Sequence, residues 1–377
     1  MKKIIILGAG MVGKAMASDL ARRHEVTSAD IDAGALLPLA GIPNIHTTLL
    51  DVTDDDALAS ALNGFDLVIS AVPGFLGKQT MQKVIKQKKD LVDISFMPED
   101  VLHMDSLARE NGVTVVMDCG VAPGMPNYIT GYHSTAMQIE EMEYMVGGLP
   151  KERSLPFEYK APFSPCDVIE EYTRPARFVE NGKMVVRPAM SDAEYVHFKK
   201  IGTLEAFNTD GLRSLIKTMK QIPSMKEKTL RYPGHINLIR ALSDAGFLSR
   251  EAITISETRV VPLEFTSRIL FDAWKLGTEE PEFTVMRIIL RGTENGIARE
   301  ITYELYDEYD PVEKLSSMAR TTGFTATGTA EMILNGNFTE KGLFPPELVG
   351  KEPGCFDFIL SYLKERNVLY RMTAQDI

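Results

Sequence analysis

Short apolar runs alternate with amphipathic stretches along the first 120 residues of the chain. After the first run, apolar side chains recur at the spacing of one helical face, at Val12, Ala15, Met16 and Leu20. Strands that alternate with helices pair side by side in a parallel sheet, with the helices on both faces. The pattern predicts six parallel strands, at residues 4–7, 25–30, 46–51, 65–72, 90–95 and 113–118.

A glycine-rich turn joins the first predicted strand to the first predicted helix. Residues 8–13 are GAGMVG, and Asp30 follows about twenty residues after the first glycine, at the end of the second strand. Gly8 permits a tight turn, Gly10 lets the backbone approach a pyrophosphate, and Gly13 allows the helix to pack closely on the strand. Strand, glycines, helix and carboxylate together predict a Rossmann domain that binds a dinucleotide.

Asp30 also indicates which dinucleotide binds. Its carboxylate can accept both ribose hydroxyls of NAD, but it would repel the 2′-phosphate of NADP. Residues 31–36 contain no Arg or Lys that would neutralise this repulsion, so the sequence predicts NAD as the cofactor. In the alternative interpretation, Asp30 caps a turn and Asp32 binds the ribose.

The strand order of a Rossmann sheet predicts the remaining cofactor contacts. The fourth strand lies beside the first, so its carboxyl end faces the pyrophosphate and the nicotinamide, whereas the end of the third strand lies near the adenine. The predicted cofactor-binding residues are Gly8, Ala9, Gly10, Met11, Val12, Asp30, Asp51, Val52, Ala71, Val72, Pro73, Ser95 and Gly120.

The pattern changes at the end of the sixth strand. Residues 119–126 are too rich in Gly and Pro to continue a strand, and the loop at residues 292–296 is a hairpin signal. Longer strands are predicted at residues 140–147, 283–291 and 299–306. We predict an α/β fold with three parts: a Rossmann domain over residues 1–123, an α+β domain with a mixed or antiparallel sheet over residues 124–317, and a C-terminal segment over residues 318–377. The sequence leaves open whether that segment closes the second domain or packs against the first.

Length and composition indicate a globular protein of two domains. The chain has 377 residues, which exceeds the usual size of one core, and 44% of them are hydrophobic and 25% charged. The net charge is −11 without a basic run, which argues against nucleic acid as a partner. The sequence shows no membrane-spanning run or signal-peptide pattern, so we expect a cytoplasmic protein. Because Cys119, Cys166 and Cys355 lack the spacing of a zinc site, we predict neither a metal nor a disulfide.

Candidate substrate ligands lie in three polar segments of the second domain, at residues 170–177, 208–214 and 229–235. An amino-acid substrate needs a guanidinium for its carboxylate and an acidic or hydroxyl group for its amine. Arg213 and Arg231 are the preferred carboxylate ligands, with Arg174 in reserve. Asp210 and Tyr172 are the preferred polar partners. The structural alternative for each residue is a surface ion pair or a loop cap.

His235 is the first candidate for acid–base catalysis. It follows a Pro-Gly turn, and the pKa of an unperturbed His suits proton transfer near neutrality. A competing hypothesis makes Cys119, at the end of the sixth strand, a thiolate that attacks an aldehyde. Packing in the interior is the structural alternative for both side chains.

Several motifs carry a resemblance to a known family. They are GAGMVG at 8–13, AVPGFLG at 71–77, VDISFMPE at 92–99, DCGVAPGMPNYITG at 118–131, VGGLP at 146–150, EEYTRPAR at 170–177, DGLRS at 210–214, LRYPGH at 230–235 and MARTTGFTA at 318–326. In the order and spacing of these motifs, the chain resembles the saccharopine dehydrogenase-like family, and within it the members that oxidise the side-chain amine of lysine.

The resemblance implies an NAD-dependent oxidative deamination of the lysine ε-amine. The products would be ammonia and 2-aminoadipate 6-semialdehyde, which cyclises to piperideine-6-carboxylate. The resemblance also implies a substrate domain of the saccharopine reductase type and a homo-oligomer built on a dimer. Saccharopine reductases themselves have a Tyr near the position of Gly74, an Asp at that of Ala122 and a Cys at that of Val146. All three are absent here, which weakens saccharopine as the substrate.

This chemistry requires a neutral amine. Hydride leaves the carbon beside nitrogen only when the amine is unprotonated, yet the pKa of the free lysine amine is about 10.4. We expect Val72, Phe96 and Val121 to desolvate the amine, and His235 or Tyr172 to receive its proton. The competing hypotheses are a reductive condensation of the saccharopine or carboxynorspermidine type, and a catalytically silent protein that only binds NAD.

Overall fold

Two large sheets organise the chain. The computed structural model describes residues 1–277 and 279–377, and its strands are β1 (Lys3–Leu7), β2 (Glu25–Asp30), β3 (Ile45–Leu49), β4 (Leu67–Ser70), β5 (Asp90–Asp93), β6 (Thr114–Val116), β7 (Met137–Pro150), β8 (Ala176–Glu180), β9 (Lys183–Arg187), β10 (Glu194–Phe198), β11 (Gly202–Asn208), β12 (Ser224–Arg231), β13 (Ile253–Ile255), β14 (Thr258–Val260), β15 (Glu282–Glu294), β16 (Ile297–Glu308), β17 (Gly342–Phe344) and β18 (Tyr370–Asp376). The α-helices are α1 (Met11–Leu20), α2 (Ala33–Leu36), α3 (Asp55–Ala61), α4 (Gly74–Lys86), α5 (Asp105–Asn111), α6 (Met125–His133), α7 (Pro165–Thr173), α8 (Leu215–Thr218), α9 (His235–Asp244), α10 (Pro262–Ala273), α11 (Ser317–Leu334), α12 (Pro346–Gly350) and α13 (Cys355–Glu365). Short 3₁₀ helices span Leu37–Leu39 and Leu102–Met104.

The strands of the first sheet are all parallel, in the order β17-β6-β5-β4-β1-β2-β3. In the centre, Leu7 of β1 lies opposite Ala29 of β2 on one side and Ser70 of β4 on the other. The carboxyl ends of these strands therefore meet at one edge of the sheet. The strand order reverses between β1 and β4, which is where this fold binds its ligands. The predicted Rossmann sheet is confirmed, and it gains a seventh strand from the C-terminal segment.

Some strands end earlier than predicted. The third strand ends at Leu49 and not at Asp51, and the fourth ends at Ser70 and not at Val72. Val72 is nevertheless buried in the core of the first domain. Because the hydrophobic effect rewards burial and not strand pairing, an apolar run can continue beyond the last paired residue. The polar groups that follow β3 are thereby left at the edge of the sheet.

The C-terminal segment contributes to both sheets. Its strand β17 pairs with β6 of the first sheet, and its strand β18 pairs with β16 of the second. Its long helix α11 packs on α1, where a Cβ atom at Gly323 would lie 3.2 Å from Cγ of Met16. On the same side, Arg366 donates from Nε to the buried Asp19 carboxylate at 2.7 Å. The segment therefore connects the two halves of the chain.

The second sheet is mixed. Its strands follow the order β10-β11-β12-β7-β15-β16-β18, and β8 pairs with both β12 and β9. The strands β7 and β12 are parallel, and the remaining pairs are antiparallel. The predicted second domain on a mixed or antiparallel sheet is confirmed. A separate two-stranded ribbon is formed by β13 and β14.

The predicted hairpin is present with longer strands and a shorter turn. Only Asn295 and Gly296 form the turn between β15 and β16, with φ of 51° and 81°. Such an Asn-Gly pair with positive φ suits a two-residue hairpin. Gly292, predicted in the loop, lies inside β15, where the register shifts after Arg291. A Cβ atom at Gly292 would lie 2.1 Å from the carbonyl oxygen of Gln138, so this glycine serves close strand approach.

No helix in the described ranges has both the length and the apolar character needed to cross a membrane.

Candidate functional site

A cleft of about 720 Å³ lies between the carboxyl edge of the first sheet and the second domain. Its first part is the glycine-rich turn after β1. Gly8 has a φ of +109°, and a Cβ atom there would lie 2.5 Å from the carbonyl oxygen of Ala71. A Cβ atom at Gly13 would lie 2.0 Å from the carbonyl oxygen of Gly8, whereas one at Gly10 would meet no atom within 4 Å. The turn is therefore closed against β4 and α1 and open toward the cleft, which fits a dinucleotide pyrophosphate at the start of α1.

Asp30 is placed beside this turn. Its Oδ2 atom accepts a hydrogen bond from the backbone N–H of Ala9 at 2.6 Å, and its Oδ1 atom accepts one from the backbone N–H of Asp32 at 2.9 Å. Asp32 is exposed and instead caps α2, accepting from the N–H of Gly34 at 2.8 Å. Asp30 lines the cleft and Asp32 does not. The geometry therefore places Asp30, and not the alternative Asp32, at the cleft.

Most of the predicted cofactor residues line the cleft. They are Gly8, Gly10, Met11, Val12, Asp30, Asp51, Val52, Ala71, Val72, Pro73 and Gly120. Ala9 contributes its backbone N–H to Asp30. Ser95 is directed away from the cleft, because its hydroxyl donates to the buried Asp93 carboxylate at 2.9 Å and its Cβ faces Gly77. Thr53 and Phe75 also line the cleft and escaped prediction, although both closely follow predicted strand ends.

The other half of the cleft is rich in carboxyl groups. Helix α7 and its C-terminal cap present four ionisable side chains to the cleft. Glu170, Glu171 and Arg174 follow Asp167 by three, four and seven positions, so all four lie on one helical face. Across from this helix lie the ends of β11 and β12 and the end of the first sheet. The ionisable residues that line this half are Asp118, Asp167, Glu170, Glu171, Arg174, Asp210, Glu227 and Arg231. Six carboxyl groups thus face two guanidinium groups.

Arg213 and Asp210, two predicted substrate ligands, are engaged in ion pairs within the protein. Arg213 does not line the cleft; its Nε donates to both oxygens of the buried Asp118 at 2.9 and 2.8 Å. Asp210 lines the cleft, but Arg177 donates to its two oxygens at 2.8 and 2.7 Å. These ion pairs occupy the guanidinium N–H groups and the carboxylate oxygens that would otherwise bind a substrate. The structure therefore does not present Arg213 to a substrate carboxylate.

Arg231 and Arg174 both line the cleft, but they differ in their partners. Arg231 is almost fully buried and donates to the Tyr172 hydroxyl at 2.9 Å and to Glu171. Arg174, the reserve candidate, makes only a long contact of 3.4 Å with Glu170, and its Nη1 has no partner among the described residues. Its guanidinium lies 4.9 Å from the centre of the Phe96 ring. Arg174 thus keeps a buried guanidinium nitrogen without a partner among the described residues.

His235 and Tyr172 form a buried pair behind Arg231. The Nδ1 atom of His235 donates to the carbonyl oxygen of Phe157 at 2.9 Å, and Nε2 accepts from the Tyr172 hydroxyl at 2.9 Å. Burial, reinforced by Arg231, lowers the pKa of His235 to about 3. Burial also raises the pKa of Tyr172. Neither residue lines the cleft, so the structure does not support the predicted proton-acceptor role for either of them.

Cys119 is a packed interior residue. Its Sγ lies 2.9 Å from the Thr329 hydroxyl, and burial raises the pKa of the thiol to about 12. A thiol with this pKa is protonated at neutral pH and does not act as a nucleophile. Cys355 is also a buried free thiol, and the side chain of Cys166 lies outside the described residues. Within the described ranges, no group of three or more metal-ligating side chains is arranged around a common point.

Glu227 is a cleft residue that the sequence did not point to. It lies on β12, where alternate residues Glu227, Thr229 and Arg231 all face the cleft. Burial raises the pKa of its carboxyl to about 8. The alternation along this strand was the available signal, but β12 was not predicted as a strand. Asp167 on α7, another cleft residue, also has a pKa that burial raises, to about 6.

Two family models match consecutive parts of the chain. The saccharopine dehydrogenase NADP binding domain matches residues 4–116, and the saccharopine dehydrogenase C-terminal domain matches residues 120–368. Among solved structures, apo saccharopine dehydrogenase (L-Glu forming) from Saccharomyces cerevisiae superimposes with a TM-score of 0.82 at 21% identity, covering 100% of both chains. This likeness confirms the fold of the whole chain.

Curated relatives carry related names. Saccharopine dehydrogenase (NADP(+), L-glutamate-forming) of Pyricularia oryzae is 28% identical over 71% of this chain, which spans 63% of that relative. The protein of the same name in Schizosaccharomyces pombe is 29% identical over 97% of this chain and 77% of the relative. Carboxyaminopropylagmatine dehydrogenase of Synechocystis is 21% identical over 94% of both chains. The match thus spans less than two thirds of the length of the Pyricularia relative.

Proposed function

The chain belongs to the saccharopine dehydrogenase family, and we propose that it is a lysine 6-dehydrogenase, which oxidatively deaminates the ε-amine of lysine with NAD. The products are ammonia and 2-aminoadipate 6-semialdehyde, which cyclises. When bound, NAD supplies the acceptor for the hydride that leaves the amine-bearing carbon. The residues that would hold it are those of the glycine-rich turn, together with Asp30.

The charge balance of the cleft is the observation that carries this proposal. Six carboxyl groups and two guanidinium groups line the substrate half. Four of these carboxylates pair with arginines, and of the two lining guanidinium groups only that of Arg174 has a nitrogen without a partner among the described residues. Lysine carries more ammonium than carboxylate groups, whereas saccharopine carries several carboxylates and would need several free cations. Among the described residues, Asp167 and Glu227 are left without an ion pair and Arg174 has one unpaired nitrogen, which favours lysine over saccharopine.

The cleft also provides the apolar surroundings that a reacting amine needs. Val72, Phe96 and Val121 line it together with the dinucleotide turn and the acidic residues. Removing water from an ammonium group disfavours its charged form and so lowers its pKa. We assign Arg174 to the substrate carboxylate and these apolar residues to the region around the reacting carbon.

The assignment of NAD and not NADP depends on Asp30. Both oxygens of its carboxylate face backbone N–H groups at the rim of the cleft. No lysine or arginine lines the adenosine half among the described residues, so a 2′-phosphate would meet a carboxylate without a compensating cation. The family model that matches residues 4–116 is named for NADP binding, so a comparison of activity with NAD and with NADP tests this assignment directly.

The experiment is a spectroscopic assay of the purified protein with lysine, saccharopine and carboxynorspermidine, each with NAD and NADP. We expect reduced NAD with lysine, at a rate that rises toward alkaline pH. If lysine yields no NADH at any pH, the proposal is wrong. Turnover of saccharopine or carboxynorspermidine would instead favour the second candidate, a reductive-condensation dehydrogenase, which the full-length match to carboxyaminopropylagmatine dehydrogenase supports. Dinucleotide binding without any turnover would indicate a catalytically silent protein.

We also propose a cytoplasmic homodimer. The family resemblance is the basis for the dimer, and the sequence pattern is the basis for the compartment. Light scattering of the purified protein measures the oligomer directly. A monomer in solution would contradict the proposal.

A further inference from the structure

Glu227 has an unusual environment among the carboxyl groups of the cleft. Its Oε2 atom accepts hydrogen bonds from the Thr209 hydroxyl at 2.7 Å and from the backbone N–H of Gly211 at 3.0 Å. The Thr209 hydroxyl is itself 2.8 Å from the Thr229 hydroxyl, which fixes its direction. No hydrogen bond from the described residues reaches Oε1. One oxygen is therefore held in place and the other is available to a molecule in the cleft.

Four other carboxylates of the substrate half are paired with neighbouring cations. Asp118 pairs with Arg213, and Asp210 pairs with Arg177. Glu171 pairs with Arg231, and Glu170 pairs with both Arg174 and Arg250. Asp167 has no ion pair within 4 Å among the described residues, but the charge of Arg174 partly opposes the rise of its pKa. Glu227 has no ion pair with any described residue, although it is only 4% exposed.

The surroundings of Glu227 adjust its proton affinity toward that of an amine. Burial is the main cause that raises its pKa to about 8, while the Thr209 hydroxyl opposes the rise. The charged and titratable groups that face it are Glu171 of α7, Asp210 after β11 and Tyr144 of β7. The two carboxylates raise its pKa further. An ordinary Glu, with a pKa of about 4.3, is a much weaker proton acceptor for an ammonium group.

We propose that Oε1 of Glu227 accepts the proton of the substrate ammonium, and so is the catalytic base of the amine oxidation proposed above, on which this inference rests. In this step an N–H bond of the ammonium breaks, its electron pair stays on nitrogen, and an O–H bond forms on Glu227. The neutral amine that remains can release hydride from the adjacent carbon. Glu227 then returns its proton to water, which accounts for the proton released when an ammonium is oxidised to an aldehyde and ammonium ion.

The test is the variant Glu227→Gln, which keeps the shape of the side chain but cannot accept the proton. For the wild type, kcat/KM for lysine should rise with pH through an inflection near pH 8, where Glu227 becomes charged. In the variant, the inflection should move toward the pKa of the free amine, about 10.4, and kcat/KM at pH 8 should fall by at least about a hundredfold. A variant that keeps the inflection near pH 8 and loses rate equally at all pH values would overturn the proposal.

Glu282→Gln is the matched control. Glu282 is also buried, and burial raises the pKa of its carboxyl to about 8, but it lies outside the cleft, at the start of β15, where it accepts from the backbone N–H of Ser317 at the start of α11. The control should retain the wild-type pH profile. If it shifts the profile as Glu227→Gln does, the inflection does not belong to Glu227.

A binding measurement without cofactor separates this inference from the proposed function. Calorimetry of lysine binding at pH 7, in two buffers of different ionisation enthalpy, should show release of nearly one proton in the wild type, because the ammonium drives Glu227 into its charged form. Glu227→Gln should release none. If the wild type oxidises lysine but releases no proton on binding, the role of Glu227 is wrong and the function stands. If it neither binds nor oxidises lysine, the proposed function fails first.

Discussion

At the scale of single residues, the three arginines that the sequence offers as carboxylate ligands have different tasks in the structure. Arg213 neutralises the buried Asp118, and Arg231 is held by Glu171 and Tyr172. Arg174 retains an Nη1 group without a partner among the described residues. The partner, and not the residue type, decides which guanidinium is available to a substrate.

Replacing Arg174 should therefore affect binding more than folding. We expect Arg174→Met to raise KM for lysine at least about tenfold, because a hydrogen bond to a charged group contributes about 1.5–3 kcal/mol. The melting temperature should stay near that of the wild type. Arg213→Met is the contrasting variant: it leaves Asp118 buried without its cation and should cost about 3–5 kcal/mol of unfolding free energy. Steady-state kinetics and urea unfolding measure both effects, and an unchanged KM in Arg174→Met would contradict the assignment.

Asp30 carries the prediction on cofactor choice. Replacing it by Asn removes the negative charge while keeping an oxygen for one of the two backbone N–H groups. We expect Asp30→Asn to lower the ratio of kcat/KM for NAD over kcat/KM for NADP at least about tenfold, because the negative charge of Asp30 repels the 2′-phosphate of NADP and not the 2′-hydroxyl of NAD. Kinetics with both dinucleotides give the ratio, and Asp32→Asn, at the exposed cap of α2, should leave it unchanged. An equal drop in both variants would remove Asp30 as the discriminating residue.

At the scale of elements, glycines set how closely helices approach. A Cβ atom at Gly131 of α6 would lie 2.1 Å from the carbonyl oxygen of Glu347 in α12. In the reverse direction, a Cβ atom at Gly350 of α12 would lie 2.5 Å from the carbonyl oxygen of Tyr128 in α6. The two helices thus meet backbone to backbone, and α12 in this way anchors the C-terminal segment beside the start of the second domain.

Gly131→Ala should consequently destabilise the protein. Alanine is intrinsically better than glycine inside a helix by about 1 kcal/mol, but the new methyl group would overlap a backbone atom and force the helices apart. We expect a net loss of about 1–3 kcal/mol of unfolding free energy. Gly10→Ala is the counterpart, since a Cβ atom there meets nothing within 4 Å. Gly10→Ala should leave urea unfolding unchanged and weaken NADH binding in a fluorescence titration. Equal unfolding free energies for Gly131→Ala and Gly10→Ala would contradict the close contact between Gly131 and Glu347.

At the scale of the whole molecule, buried carboxyl groups couple stability to pH. Burial raises the pKa of Asp93 to about 7 and the pKa values of Glu227 and Glu282 to about 8. In the unfolded chain these groups ionise near their ordinary pKa values, at about pH 4. Between about pH 4 and about pH 8 the folded state therefore binds more protons than the unfolded state, and the unfolding free energy decreases as pH rises.

We expect the unfolding free energy to fall between pH 6 and pH 8.5 and to level off above that range. Urea unfolding at several pH values measures the slope, and Glu282→Gln should make it shallower because one of the titrating groups is removed. A wild-type stability that increases with pH over this range would contradict the burial of these groups in their neutral form. The same rise in pH should increase activity, so the most active protein is expected to be the less stable one.

The sequence by itself determined the features that depend on neighbouring residues. Alternation of strands and helices gave the parallel sheet, and the glycines at 8, 10 and 13 with Asp30 predicted a dinucleotide cradle that the structure forms. These features are local, since a turn, a helical face or a strand is specified by residues a few positions apart. The mixed second sheet followed in outline from its longer strands and its hairpin.

Only the tertiary structure decided which polar residues face the cleft. Arg213 meets Asp118 from 95 positions away, and Arg174 keeps a free donor because Glu170 reaches only one edge of its guanidinium. Glu227 became visible once β12 was paired and its alternate side chains shared a face. Charge neutralisation and burial depend on neighbours brought together by folding, and residues distant in sequence supply them. A sequence pattern therefore identifies candidate ionisable groups, and their packing decides which of them remains available for chemistry.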